Sequence, residues 1–142
     1  MCCFFCDTGV TVGHQNGLLA MKQITECIPI VTVSDIAKSM SFYTDTLGFR
    51  IDFDAGEVSG LLHGNVLIYL IAESSENKRK PAGSANLSFM VDEVDELYER
   101  CCAAGSEVLV KPGDRVYGQR DSAISDRDGN VLVFACGLAS QV

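Results

Sequence analysis

Gly64-Asn65-Val66-Leu67-Ile68-Tyr69 returns as Gly129-Asn130-Val131-Leu132-Val133-Phe134, 65 residues further along the chain. Each copy is a turn pair followed by a short run of β-branched and aromatic residues, the pattern of a strand entered through a tight turn. Two copies of one strand so far apart imply that a whole structural unit is repeated. Residues 28–33, Ile-Pro-Ile-Val-Thr-Val, read as a strand covered on both faces. Ser34 or Asp35 can cap a helix whose Ile36, Met40, Tyr43 and Leu47 share one face and which Gly48 ends. Residues 49–54 alternate as a half-buried strand, and Gly56, Gly60 and Gly64 punctuate two more, the last at 66–71.

The second unit repeats that order. Residues 87–91 form a strand, Asp92 caps a helix with Val94, Leu97, Tyr98 and Cys101 on its apolar stripe, and Gly105 stops it. Three strands follow at 107–110, 121–125 and 131–135. The expected fold class is therefore α+β, built from two tandem βαβββ modules. Module one spans 24–74, a polar linker 75–84, and module two 85–137. Neither half is large enough to bury its sheet alone, so the two are expected to pack as a single domain over 21–142. Residues 1–20 precede Met21, carry no repeat element, and are read as a disordered or extraneous leader.

Composition narrows the function. Of 142 residues 47% are hydrophobic, and 11 Lys+Arg against 19 Asp+Glu leave a net charge of −8. An acidic chain of this kind disfavours nucleic acid and anionic membranes as partners and suits neutral or cationic ligands. No apolar run approaches the ~20 residues of a membrane span. Seven cysteines are an odd number, clustered at Cys2, Cys3 and Cys6, at Cys27, and at Cys101, Cys102 and Cys136, which suggests no disulfide framework and a reducing cytoplasmic location. Cys3-Phe4-Phe5-Cys6 with His14 has two or three of the donors zinc takes, but no second pair completes a site. Cys101 lies on the apolar stripe and is expected to be inert, while Cys102 has no His or Lys beside it to lower its pKa.

Val33-Ser34-Asp35-Ile36-Ala37-Lys38-Ser39-Met40-Ser41-Phe42-Tyr43-Thr44-Asp45-Thr46-Leu47-Gly48-Phe49 resembles the V-x-D-x-x-x-S-x-x-F-Y-x-x-x-L-G-F segment of the vicinal oxygen chelate superfamily. That group includes glyoxalase I, extradiol dioxygenases, and fosfomycin and bleomycin resistance proteins. Further matches are Phe89-Met90-Val91-Asp92-Glu93-Val94, Ala104-Gly105, Tyr117-Gly118-Gln119-Arg120-Asp121 and Asp126-Arg127-Asp128-Gly129-Asn130. The resemblance implies the glyoxalase/bleomycin-resistance fold, with its modules forming a cupped mixed sheet, and in its enzymes a divalent metal held by one residue from each of four strands. The matching positions here are Ile28, Ile68, Asn86 and Val133, which together offer one amide. No metal, cofactor or catalytic residue is therefore assigned, and the resemblance points to the metal-free, bleomycin-resistance-like branch.

Strand alternation adds Ile30, Val66, Leu70, Ser88, Met90 and Val131 to this cup; Phe53 and Tyr117 stand as ligand contacts beside it, and Arg120 either faces the ligand with them or pairs with an acidic residue at a subunit contact. Tyr69, Phe89 and Phe134 are expected on the opposite face, under the helices. The leading reading is a homodimer that sequesters a small, partly planar, neutral or cationic molecule in the cup or the dimer groove. The alternative is a metal-independent lyase or isomerase that pairs His63 with Asp52, Asp54 or Glu57. A regulatory or structural module with no ligand is the third.

Overall fold

The computed structural model describes residues 23–138, so the proposed leader, with Cys2, Cys3, Cys6 and His14, lies outside the described residues. Module one contains β1 (Ile30–Val33), α1 (Ile36–Ser41) running on into a π-helical turn (Phe42–Thr46), β2 (Arg50–Asp54), β3 (Val58–His63) and β4 (Val66–Ala72). Module two contains β5 (Asn86–Met90), α2 (Val94–Ala103), β6 (Glu107–Asp114), β7 (Gln119–Ser125) and β8 (Val131–Gly137). Each module folds as a four-stranded mixed sheet, in the orders β1-β4-β3-β2 and β5-β8-β7-β6. The outer pairs β1/β4 and β5/β8 are parallel and the rest antiparallel. None of the helices among the described residues is long and apolar enough to cross a membrane.

Local chemistry sets the boundaries. β1 begins at Ile30 rather than Ile28, because Pro29 has no N–H to give a ladder; its carbonyl accepts instead from the Tyr69 amide at 3.0 Å. Asp35 caps α1 by accepting from the Lys38 amide at 2.9 Å. In the second module the N-cap is Glu93, one residue beyond the expected Asp92, and its side chain makes no capping bond. The caps Asp35 and Glu93 are thus 58 residues apart, whereas the terminating glycines Gly48 and Gly105, both at positive φ, are 57 apart. The first helix holds one residue more than the second, and the π-helical turn absorbs it.

Both sheets turn one face inward. Val31, Val33, Leu61, Ile68 and Leu70 from module one meet Ile124, Leu132 and Phe134 from module two, with Tyr43, Leu47 and Cys101 of the helical segments closing the core. The opposite faces carry the exposed Ile30, Phe53 and Met90. The outermost strands β2 and β6 are irregular: the register of β2 shifts between Ile51 and Phe53, and that of β6 shifts twice between Val108 and Gly113, around Pro112.

The modules are joined by a polar interlock in the 126–130 loop between β7 and β8. Buried Asp126 accepts from the Tyr43 hydroxyl, the Asn130 amide and the Asn130 side chain, each at 2.9 Å. The Asn130 side chain also donates to the Thr32 carbonyl in β1 at 3.3 Å and accepts from the Ala85 amide at 2.9 Å. Asp128 accepts from the Ser34 amide at 3.2 Å.

Burial, and then the neighbouring Asp126 carboxylate, push the Tyr43 hydroxyl well above its ordinary range. The folded chain therefore keeps a proton that the unfolded chain loses near pH 10, and stability falls as pH rises past that point. Tyr43→Phe should cost about 2 kcal/mol at pH 7, since it leaves a buried carboxylate short of a donor. In urea titrations at pH 7 and pH 10.5 the gap between wild type and variant should narrow at the higher pH. A gap that widens there would show that Tyr43 does not hold its proton in the fold.

Candidate functional site

Hydrogen-bonded strand partners point to the same side of a sheet, so the register lists the outer face row by row. In module one Ile30 pairs with Tyr69, Tyr69 with Gly60, and Gly60 with Phe53. The Phe53 ring lies across Gly60, where a Cβ would overlap it, and meets Tyr69 edge-on with centroids 5.4 Å apart. In module two the rows are Asn86–Val131–Ser125, Ser88–Val133–Ala123 and Met90–Ala135–Asp121. Ile30, Phe53 and Met90 are 61%, 36% and 65% exposed, so these faces are open rather than packed.

This geometry corrects the module-one assignment. Ile30 and Ser88 each lie five residues before their helix caps and pair with Tyr69 and Val133. The structural repeat is therefore 64 residues and not the 65 of the matching Gly-Asn runs. The reason is the turns: β3 and β4 are joined by the two residues Gly64-Asn65, whereas β7 and β8 are joined by the five residues 126–130. One residue of slip reverses a strand's faces. Ile68 and Leu70, expected in the cup, are wholly buried in the core, Val66 lies on their side of β4, and Tyr69, expected under the helices, stands on the open face beside Phe53. Phe89 and Phe134 do lie on the core side, stacked with centroids 6.2 Å apart.

The remaining candidates divide. Ile28 is half-buried in the segment leading to β1. Tyr117 lies 65% exposed in the turn between β6 and β7 and donates to Asp121 at 2.8 Å. Asp121 also holds Arg115 at 2.7 Å, a trio at the edge of the module-two face that the sequence had not suggested. The hydrogen bond from Arg115 holds the Asp121 carboxyl below its usual range, while the bond to Asp121 raises the Tyr117 hydroxyl. Arg120 is one strand position away and so on the helix side, where it grips Asp95 of α2 with two nitrogens, at 2.9 and 3.0 Å, and Asp114 at 2.8 Å. Those bonds raise the guanidinium and lower Asp95, and Arg120 is a fastener between helix and sheet rather than a contact on the open face.

His63 is also absent from the open face: it ends β3 on the core side, its ring edge-on to Phe49 at 5.4 Å. Two of its proposed partners are otherwise engaged. Asp54 accepts from Gly56 and Ser59, and Glu57 from Ser75. The Cys101 thiol is buried, and burial pushes its pKa up to about 11. Among the described residues no three of His, Cys, Asp and Glu converge as metal ligands.

The model of the Glyoxalase/Bleomycin resistance protein/Dioxygenase superfamily matches residues 21–134. The chain belongs to this superfamily. It is 30% identical over 127 residues to the bleomycin resistance protein of Geobacillus stearothermophilus, an alignment covering 77% of this chain and 94% of that one. Among solved structures it is similar to the bleomycin-binding protein of Streptomyces verticillus complexed with copper(II)-bleomycin, with 25% identity, a TM-score of 0.65, and coverage of 82% of this chain and 99% of that one. A fosfomycin resistance protein from Listeria monocytogenes shares the fold at 20% identity, a TM-score of 0.66, and coverage of 82% and 96%.

The metal expected of enzymes in the superfamily does not fit the donors present. With Tyr69 replacing Ile68, the four positions are Ile28, Tyr69, Asn86 and Val133, two aliphatics, a phenol and an amide. A divalent ion stripped of water needs three or four strong N, O or S donors to offset its desolvation.

The reversed faces are directly checkable. Ile68→Ala should cost about 3 kcal/mol by opening a core cavity. Tyr69→Ala, which removes a ring from an open face, should cost far less. Denaturant midpoints in the opposite order would restore the 65-residue register.

Proposed function

We propose that this member of the superfamily binds a small molecule without transforming it, as a sequestering protein of the bleomycin resistance type. The observation that carries the reading is the pair of open outer faces. They present apolar and aromatic side chains, Ile30, Phe53 and Tyr69 on one sheet and Met90 and Val133 on the other, punctuated by Asn86 and Ser88 and supplied with no strong metal donors. A surface of this composition attracts a planar or apolar body and orients it through a few hydrogen bonds. Ile28 and Tyr117 are the contacts proposed at its margins.

Exposed apolar faces of this extent are ordinarily covered. A second copy of the chain is the proposed cover, so that ligand sits between facing sheets of a homodimer. The net charge of −8 favours a neutral or cationic molecule over an anion. Similarity to the bleomycin resistance and bleomycin-binding proteins makes bleomycin, and its copper(II) complex, the first ligand to test.

Bleomycin at about 100 times its dissociation constant should stabilise the fold by about 2.7 kcal/mol, a rise in Tm of several degrees. Asn86→Leu should weaken binding by about fivefold to tenfold while leaving the unliganded Tm near its starting value, and Ile28→Trp should obstruct the site. The ligand should be recovered chemically unchanged, and light scattering should give twice the 15.3 kDa chain mass. No Tm response to bleomycin, or turnover of it, would set this reading aside.

A further inference from the structure

The two halves of the fold protect their helix starts differently. In one half the five-residue 126–130 loop reaches across to the end of β1 and to Tyr43 of the π-helical turn. The equivalent reach in the other half would be made by the β3–β4 turn towards the end of β5 and α2. That turn has only Gly64-Asn65 between its paired strand ends and is three residues too short. Where the interlock would lie there is a cleft of about 350 Å³.

Its inner wall is aromatic and aliphatic. Phe49, Phe89, Phe134 and Leu97 line it, with Phe49 edge-on to Phe89 at 6.1 Å. Its mouth is acidic: Asp92, Glu93 and Glu96 stand around it, all exposed. None of the three is paired with a cation in the salt bridges among the described residues. Carboxylates near the start of α2 offset the helix dipole, but that dipole is worth only about half a positive charge, and three negative charges exceed it. The one guanidinium in the cleft, Arg100, donates to the Thr46 carbonyl at 2.9 Å and is held against the end of the first helical segment.

We propose that this cleft is a second small-molecule site, on the helix side of the sheets and independent of the outer-face site, and that it takes a primary amine on an aromatic or branched aliphatic body. The apolar body replaces water against the phenylalanine rings, and the ammonium group faces the carboxylates at the mouth. The volume lies at the low end of ligand sites, which limits the occupant to one ring or a comparable aliphatic group. A carboxylate on the same ring is repelled. Met90, at the end of β5, borders both this cleft and the outer face and is the one residue they share.

Phenethylamine and phenylacetate carry the same ring with opposite charge, and both can be titrated into the isotope-labelled full chain at pH 7.5 and low salt. Phenethylamine should shift the resonances of Val66, Leu97 and Arg100, and phenylacetate should bind at least tenfold more weakly. The double variant Asp92→Asn, Glu96→Gln should weaken the amine at least fivefold. Val66→Trp, at a position 46% exposed on the rim, should fill the opening and abolish the shifts while the remaining spectrum stays folded. Equal affinity for the two probes, shifts confined to Ile30, Phe53 and Ser88, or no shifts at millimolar amine would each overturn the proposal. Because the readout is resolved by residue, failure here is distinct from failure of bleomycin to bind the outer faces.

Discussion

A single buried carboxylate governs how the two halves meet. Asp126 is 7% exposed, and a charge held there is tolerable only if its lone pairs are filled. One oxygen takes the Tyr43 hydroxyl and the Asn130 amide group, and the other takes the backbone amides of Asp128 and Asn130. Asn130 then spends its remaining capacity on Thr32 in β1 and on Ala85, the residue before β5. One side chain thus ties the opening strand of module one to the residue that leads into the opening strand of module two. The apolar core adjoining it is non-directional and would tolerate sliding; these bonds do not, since displacement by one position leaves buried polar groups unpaired. The choice of which sheet faces look outward follows from that fixed docking.

Much of this arrangement can be read from the chain because the features responsible are local. The helix stripes, the glycines that end them at positive φ, and the turn-flanked strands are each determined by residues within a few positions of one another. The duplication is legible for the same reason. The orientation of β4 is not, because it depends on the length of a turn that the matching Gly-Asn runs disguise: Asn65 belongs to a two-residue turn, while Asn130 closes a five-residue loop with its side chain buried. Identical letters perform different work, and Ile68 and Tyr69 exchange faces as a result. Arg120 was equally ambiguous from sequence, since its partner Asp95 is 25 residues away and only the packing of α2 on β7 brings them together.

Two aliphatics, a phenol and an amide at the positions where metal enzymes of the superfamily carry donors change what kind of selectivity the open faces can have. A metal site chooses its ligand by a few strong, directional bonds. In the sequestering role proposed above, a surface of Ile30, Phe53, Tyr69, Met90 and Val133 would choose by shape and stacking, with energies spread over area, and so would accept related compounds with graded affinity. In that role Asn86 and Ser88 would supply the directional part, and Met90, unbranched and adaptable, would follow ligands of differing contour.

The irregular outer strands have a bearing on how copies of the chain can associate without aggregating. A regular exposed edge invites a neighbour's strand to extend the sheet, and repetition of that step produces fibrils. Here the register of β2 shifts between Ile51 and Phe53, which alternate with Asp52 and Asp54, while β6 carries two shifts in register and Pro112, which has no N–H to donate. At the other side of the first sheet, the Thr32 carbonyl of β1 is already occupied by Asn130. Lateral zippering is thereby discouraged at these three of the four sheet margins, which leaves the broad faces to the proposed homodimer, a contact that would close on itself instead of continuing open-ended.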